Sequence, residues 1–262
     1  MPPIDDSEIE RVLVVTAHPD DLDFGAAGTI AQWTAKGIEV SYCICTNGDQ
    51  GGEDPDVPRE EMPKIRQKEQ RDAGKILGVT NIEFLNHRDG WLVPTIELRK
   101  QIVREIRKSK PQRMLVQSPE RNWDRLFSSH PDHMAAGEAA IQAVYPDARN
   151  PFAFEDLLKD EGLEPWRVRE VWVMSHHTPD HFIDVTDTFD KKKVSTGTVY
   201  TKKVNKDGTS KMKEEVELEE MSAKAHYKSV MKGGKGKGFV VSTPIDRERY
   251  PNRERQGLEG PY

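Results

Sequence analysis

Two short segments of this chain carry the residue types of a hydrolytic metal site. They are Ala17-His18-Pro19-Asp20-Asp21 and His130-Pro131-Asp132-His133, with His130 standing 112 positions after His18. Brought together, they offer one metal ion two imidazoles and a carboxylate, and leave a further carboxylate beside it. An open catalytic zinc site has that make-up: three protein ligands, a position for water, and a base to take the water's proton. Taken singly, neither segment compels the reading. Pro131 and Asp132 suit the first turn of a helix, where proline loses no needed bond and a carboxylate meets the positive end of the dipole. Pro19-Asp20-Asp21 equally suits a turn and a helix cap.

The surrounding elements decide whether the two segments can meet. Short apolar runs alternate with longer amphipathic ones. Strands are expected at Arg11–Ala17, Glu39–Cys45, Asn81–Leu85, Arg113–Gln117 and Val168–Ser175, with a short extra one at Phe182–Val185. Helices are expected at Phe24–Lys36, Glu60–Leu77, Thr95–Lys108 and Pro131–Val144. The first of these ends at Gly37, whose missing Cβ suits a left-handed cap. Such alternation predicts an α/β fold: a Rossmann-like, mainly parallel sheet with helices on both faces. Ligands of such sheets bind outside the carboxyl ends of the strands, near the switch in strand order. His18 follows the first strand and His130 the fourth, so the pattern brings both to one edge.

Charge divides the chain. Residues 1–190 hold 22 basic and 35 acidic residues, a net of −13, whereas 191–262 hold 17 and 10, a net of +7. We therefore expect a Rossmann-like metal-dependent domain over 1–190 and a basic C-terminal extension over 191–262. Within the extension, the alternation in Thr196–Val204 suggests a hairpin, and Lys232–Gly238 reads as a flexible, solvated basic run. Met1–Glu10 is acidic and lacks the apolar run of a signal peptide. No stretch approaches the roughly 18 apolar residues of a membrane span. Cys43 and Cys45 alternate on one face of a strand, as buried free thiols of a reducing compartment would. These features together predict a cytoplasmic protein.

The motif string continues beyond the two segments: Gly25-Ala26-Ala27-Gly28-Thr29-Ile30, Thr46-Asn47-Gly48, Arg66-Gln67-Lys68-Glu69, Leu77-Gly78 and Asp89-Gly90. In this order, across about residues 11–190, the chain resembles the zinc-dependent PIG-L/LmbE-type de-N-acetylases, relatives of the sugar deacetylases of mycothiol and bacillithiol synthesis. The resemblance implies that His18, Asp21 and His133 ligate Zn2+, with Fe2+ as the rival metal. It implies that Asp20 is the general base toward the metal-bound water. His130 would then stabilise the oxyanion or protonate the leaving amine, and Asp132 would orient His130. Arg66 and Asp89 match positions that face the substrate. Asn47, with Asp49 and the loop to Pro58, is expected to line one wall.

Other residues carry weaker signals. Gly25 to Gly28 lacks the order of a dinucleotide cradle, so close packing is expected there. His176, His177 and His181 form a histidine-rich stretch after the fifth strand and read as loop histidines. Trp91 and Trp123 stand as sugar-stacking faces or core. Two departures from the family stand out: Ser128 replaces a tyrosine of some members, and the basic tail replaces their helical finish.

The sequence thus points to a hydrolase that removes an N-acetyl group from an N-acetylglucosamine-type conjugate, its partner being a small N-acetyl amino-sugar molecule. Two rivals stand beside it: an amidase acting on a larger thiol–sugar conjugate, and a catalytically silent binding protein. The −13 charge of the motif-bearing part argues against nucleic acid, and no feature calls for a membrane. A homo-oligomer is left open.

Overall fold

The computed structural model describes residues 3–199, apart from 53–56, 125, 127–128 and 178–179. Five strands form one parallel sheet: β1 (Arg11–Thr16), β2 (Glu39–Thr46), β3 (Asn81–His87), β4 (Arg113–Gln117) and β5 (Glu170–Met174). Their order is β3-β2-β1-β4-β5. Register runs Leu13 to Ser41 on one side and Leu13 to Met114 on the other. The order reverses direction at β1, so the crevice between the carboxyl ends of β1 and β4 is the switch point where ligands of such sheets bind.

Alternation along β1 feeds two cores. Leu13 and Val15 join Cys43 and Cys45 under α4 (Ile96–Ser109) and α5 (Pro131–Val144). Val12 and Val14 join Tyr42 and Ile44 under α2 (Ala27–Ala35), while Leu77 of α3 (Met62–Leu77) belongs to the same cluster. Helices therefore cover both faces, and the two thiols are free and buried. Thr95 caps α4 by accepting the Leu98 N–H at 3.1 Å, which satisfies a donor the helix leaves open. Gly37, at φ +83°, and Gly78, at φ +82°, take the left-handed conformation after α2 and α3 that a side chain would strain. On α5 the small residues let the helix lie against β4. A Cβ on Gly137 would stand 2.2 Å from the Gln117 carbonyl oxygen.

Three expectations need correction. The helix expected over 24–36 is two: α1 (Asp21–Gly25) and α2, separated by Ala26 at φ −137°. Phe182–Val185 forms no strand. Val185 instead packs into the space left by Gly28, which also answers why a glycine stands there. In place of the start of a hairpin, Phe189–Thr198 is helix α7, and residues 200–204 lie outside the described residues. Helix α7 also runs across the compositional boundary at residue 190 and packs on α3, α2 and α1. The packed body thus continues through Val199, and the rest of the basic extension lies outside the described residues. A short helix, α6 (Glu155–Lys159), follows α5. Among the described residues no helix is long and apolar enough to cross a membrane.

Candidate metal and catalytic site

The loop after β1 presents His18 and Asp21, and the first turn of α5 presents His133. The ring Nδ1 of His18 lies 3.2 Å from His133 Nε2 and 3.4 Å from Asp21 Oδ2, while His133 Nε2 lies 2.9 Å from Asp21 Oδ1. Ligand atoms about 2.0–2.1 Å from a tetrahedral zinc stand about 3.3 Å apart, and these contacts lie on that scale, with the two rings meeting different oxygens of the Asp21 carboxylate. The chemistry of the donors agrees. Burial alone would lower the His18 ring, yet its bonds to Asp132, Asp21 and Asp89 push it up to about 12. Burial likewise opposes a charge on Asp21, but His133 and His18 hold its carboxyl well below the usual range. The pocket therefore favours a cation among these groups, which a metal can supply in place of a proton.

The far side of His18 is also held. Its Nε2 faces Asp132 Oδ2 at 3.1 Å and Asp89 Oδ1 at 3.2 Å. A carboxylate on the second ring nitrogen fixes the tautomer that turns Nδ1 toward a metal and makes it a stronger ligand. Asp132 is fully buried. It also accepts the Gly90 N–H at 2.7 Å and the Leu92 N–H at 3.1 Å. Its carboxylate is thus directed at His18 and at the loop after β3. What it gives His130 is its backbone: the Asp132 N–H donates to His130 Nδ1 at 3.2 Å. A neutral His130 then carries its proton on Nε2. Burial, then the charges of His18 and His133, lower the His130 ring and favour that neutral form. The His18 and His130 rings stand 4.8 Å apart, centroid to centroid.

Asp20 sits beside these donors in a left-handed conformation, φ 101° and ψ −27°. Burial pushes its carboxyl up to about 7, against the pull of the Arg66 guanidinium and with the push of the Asp21 charge. Arg66 pairs with the Asp20 carboxylate and donates to the Pro19 carbonyl at 2.8 Å, to Glu69 at 3.0 Å and to the Val199 carbonyl at 2.7 Å. Its contacts therefore face Asp20 and its loop. Asn47 accepts the Asp49 N–H at 3.1 Å, and Asp49 accepts the Asp89 N–H at 2.9 Å. This chain of bonds sets the wall on the β2–β3 side and leaves Asp89 leaning on His18.

The remaining sequence signals resolve as follows. His176 and His177 stack at 4.5 Å and meet Glu120 at the protein's surface, at 3.2 and 3.5 Å. His181 packs on Trp172. Trp91 and Trp123 are 67% and 81% exposed, so neither is a core residue. Ser128 lies outside the described residues. Sequence reasoning missed Gln70, which is buried and accepts the Asp20 N–H at 2.6 Å. Its place four residues after Arg66 on α3 was the signal that could have found it.

A family model described as PIG-L, GlcNAc-PI de-N-acetylase, matches residues 13–144, half of the chain. The chain belongs to the PIG-L family. It is 36% identical over 186 residues to a diacetylchitobiose deacetylase from Thermococcus kodakarensis, covering 71% of this chain and 67% of that protein. It is 33% identical to a probable N-acetyl-alpha-D-glucosaminyl L-malate deacetylase 2 from Bacillus anthracis, covering 54% of this chain and 63% of that one. It thus spans about two thirds or less of these relatives' lengths. Among solved structures it superposes on the N,N'-diacetylchitobiose deacetylase of Pyrococcus horikoshii with a TM-score of 0.71 and 29% identity, over 80% of this chain and 76% of that one. These PIG-L relatives are deacetylases of N-acetylated sugars by name, and the shared α/β fold places the histidine–aspartate clusters at its switch point.

Proposed function

We propose that this PIG-L protein is a metal-dependent N-deacetylase that removes the acetyl group from an N-acetylglucosamine-type conjugate. The observation that carries the reading is the meeting of His18 Nδ1, His133 Nε2 and the Asp21 carboxylate at 2.9 to 3.4 Å, with Oδ2 of Asp21 toward His18 and Oδ1 toward His133. These three residues would hold the metal, Zn2+ with Fe2+ as its rival. When bound, it supplies Lewis-acid polarisation of the amide carbonyl and an acidified water molecule.

The chain's own residues do the rest. Asp20 accepts a proton from the attacking water and passes it to the departing nitrogen, a task for which a carboxyl near 7 is well matched. Arg66 serves through Asp20, keeping the carboxylate aimed. His130 directs its Nε2–H at the carbonyl oxygen as negative charge develops there, in the manner of an oxyanion donor. Asp132 holds His18. Asp89 and Asn47, on the β2–β3 side, form the wall toward which the sugar hydroxyls turn. The two named relatives in sequence act on a disaccharide and on a malate glycoside, so N-acetylglucosamine is the shared part and the aglycone differs.

The test is primary-amine release from a panel of N-acetylglucosamine conjugates by zinc-loaded protein, with Asp20→Asn as control. We expect turnover in the wild type and at least a 100-fold loss in the variant, with about one metal per chain in both. An Asp20→Asn variant as active as the wild type overturns the assignment of the base. Silence toward every small conjugate with metal tightly bound favours the larger-conjugate amidase, and silence without metal binding favours a silent binding protein.

A further inference from the structure

Asp20 is held in an unusual way. A positive φ of 101° strains a residue with a side chain, and such a conformation persists only where its surroundings over-determine it. The Asp20 N–H donates to Gln70 Oε1 at 2.6 Å. A backbone N–H can only donate, so this bond fixes which end of the Gln70 amide faces Asp20. The other end, Nε2, donates to Asp23 Oδ2 at 2.8 Å. The second oxygen of Asp23 accepts from Ser195 Oγ, and the Asp23 carbonyl accepts from Thr196 Oγ1 at 3.2 Å. Asp23, Gln70 and Ser195 are fully buried, and Thr196 is 1% exposed. A chain of hydrogen bonds thus runs from α7 through α1 and α3 to the backbone of Asp20, and it ends there without including a metal donor.

We propose that Asp23, Gln70 and Ser195 are positioning residues that lock the Asp20 backbone in its left-handed conformation, so that α7 is part of the catalytic apparatus. This rests on the reading of Asp20 as the base. Buried polar groups in a connected network specify one arrangement of their neighbours, and each is costly if left unsatisfied. Stability alone does not call for this network, since replacing hydrogen-bonded partners together by apolar side chains of the same shape can be nearly neutral. Its distinctive property is that it grips one strained peptide beside the site.

Substitutions at Asp23 separate positioning from packing. In Asp23→Asn the amide oxygen can face Gln70 Nε2 while its NH2 faces Ser195, whose hydroxyl rotates to accept. That variant keeps the chain of bonds. Asp23→Leu breaks it, as do Gln70→Met and Ser195→Ala. Two readouts are taken on the full-length, zinc-loaded protein: steady-state amine release, and exchange of the Asp20 amide hydrogen by NMR. We expect Asp23→Asn to stay within threefold of the wild type in both. Gln70→Met, Ser195→Ala and, if it folds, Asp23→Leu should lose about 10- to 100-fold in kcat, the scale of a small misplacement of a catalytic group. KM and metal content should be unchanged, and the Asp20 amide should exchange at least tenfold faster in Gln70→Met.

The proposal is overturned if these variants lower only the melting temperature, or if the Asp20 amide keeps its protection in Gln70→Met. A wild type silent in amine release sinks the deacetylase reading instead, and the exchange rates then decide the positioning by themselves.

Discussion

Replacing Asp132 with Asn tests which histidine that carboxylate serves. In the native arrangement Oδ2 accepts from Gly90 N–H and faces His18 Nε2, while Oδ1 accepts from Leu92 N–H. An asparagine can place its carbonyl at the Oδ2 position and keep the first two partners. Its NH2 group then confronts the buried Leu92 N–H, donor against donor, at a cost of about 1–3 kcal/mol. The reverse orientation orphans two donors and is worse. Metal-free protein should therefore lose about 1–3 kcal/mol, which lowers Tm by roughly 3–10 °C in a body of this size. His18 also loses the anion on its second nitrogen, and such a change weakens metal binding by about 10- to 100-fold, or about 1.4–2.7 kcal/mol. Zinc affinity by competition with a chromogenic chelator, alongside thermal unfolding without metal, measures both effects. If Tm falls while zinc affinity stays within twofold, Asp132 serves only the loop over 89–92. If affinity holds and only kcat falls, it acts through His130 after all, as the family resemblance implied.

Two further outcomes follow from the packing. Arg113 is fully buried, pairs with Glu170 at 2.5 Å and Asp6 at 2.6 Å, donates to the Ile4 carbonyl at 2.8 Å, and lies 4.0 Å over the Trp172 ring. Arg113→Met should cost about 3 kcal/mol, because Glu170 loses its cation and Asp6 keeps only Lys36; urea unfolding with an unchanged midpoint would contradict this. Gly137→Ala should cost a net of about 1–2 kcal/mol, since overpacking against the Gln117 carbonyl outweighs the better helix propensity of alanine. Gln117 also accepts the Ala17 N–H at 2.8 Å, one residue before His18, so zinc affinity should fall with stability in that variant.

Periodicity carried most of the fold. The strand Arg113–Gln117 and the helix Pro131–Val144 lie where alternation and Pro131 put them. The meeting of the two His-Pro-Asp segments was legible because βαβ connections leave both at one sheet edge. What could not be read is which partner each charged group chooses. Asp132 bonds to a backbone N–H 42 positions away, and Arg66 turns to Asp20 across 46 positions. Neither choice has a sequence period. Arg66 and Glu69 do pair as an ordinary helical i, i+3 couple would, and that local pattern concealed the longer reach to Asp20. Asp23 was hidden for a related reason: an aspartate in the first turn of a helix looks like a partner for the dipole, and only tertiary packing shows it buried.

The boundary at residue 190 shows why composition and packing answer different questions. Net charge sums side chains regardless of the face they occupy, and Lys191 to Lys193 begin the basic stretch near the start of α7. A helix presents its residues to several sides, so the same turn sequence that raises the charge also turns Ser195 and Thr196 inward onto Asp23. The Val199 carbonyl then accepts from Arg66, tying the end of α7 to the residue that pairs with Asp20. Helix α7 contributes two contacts to the surroundings of Asp20, one through Gln70 and one through Arg66, from beyond the point where the charge changes sign. A shift in composition therefore marks a change in what the surface meets, while hydrogen bonds follow the packing, and here those around Asp20 reach past the point where the charge changes sign.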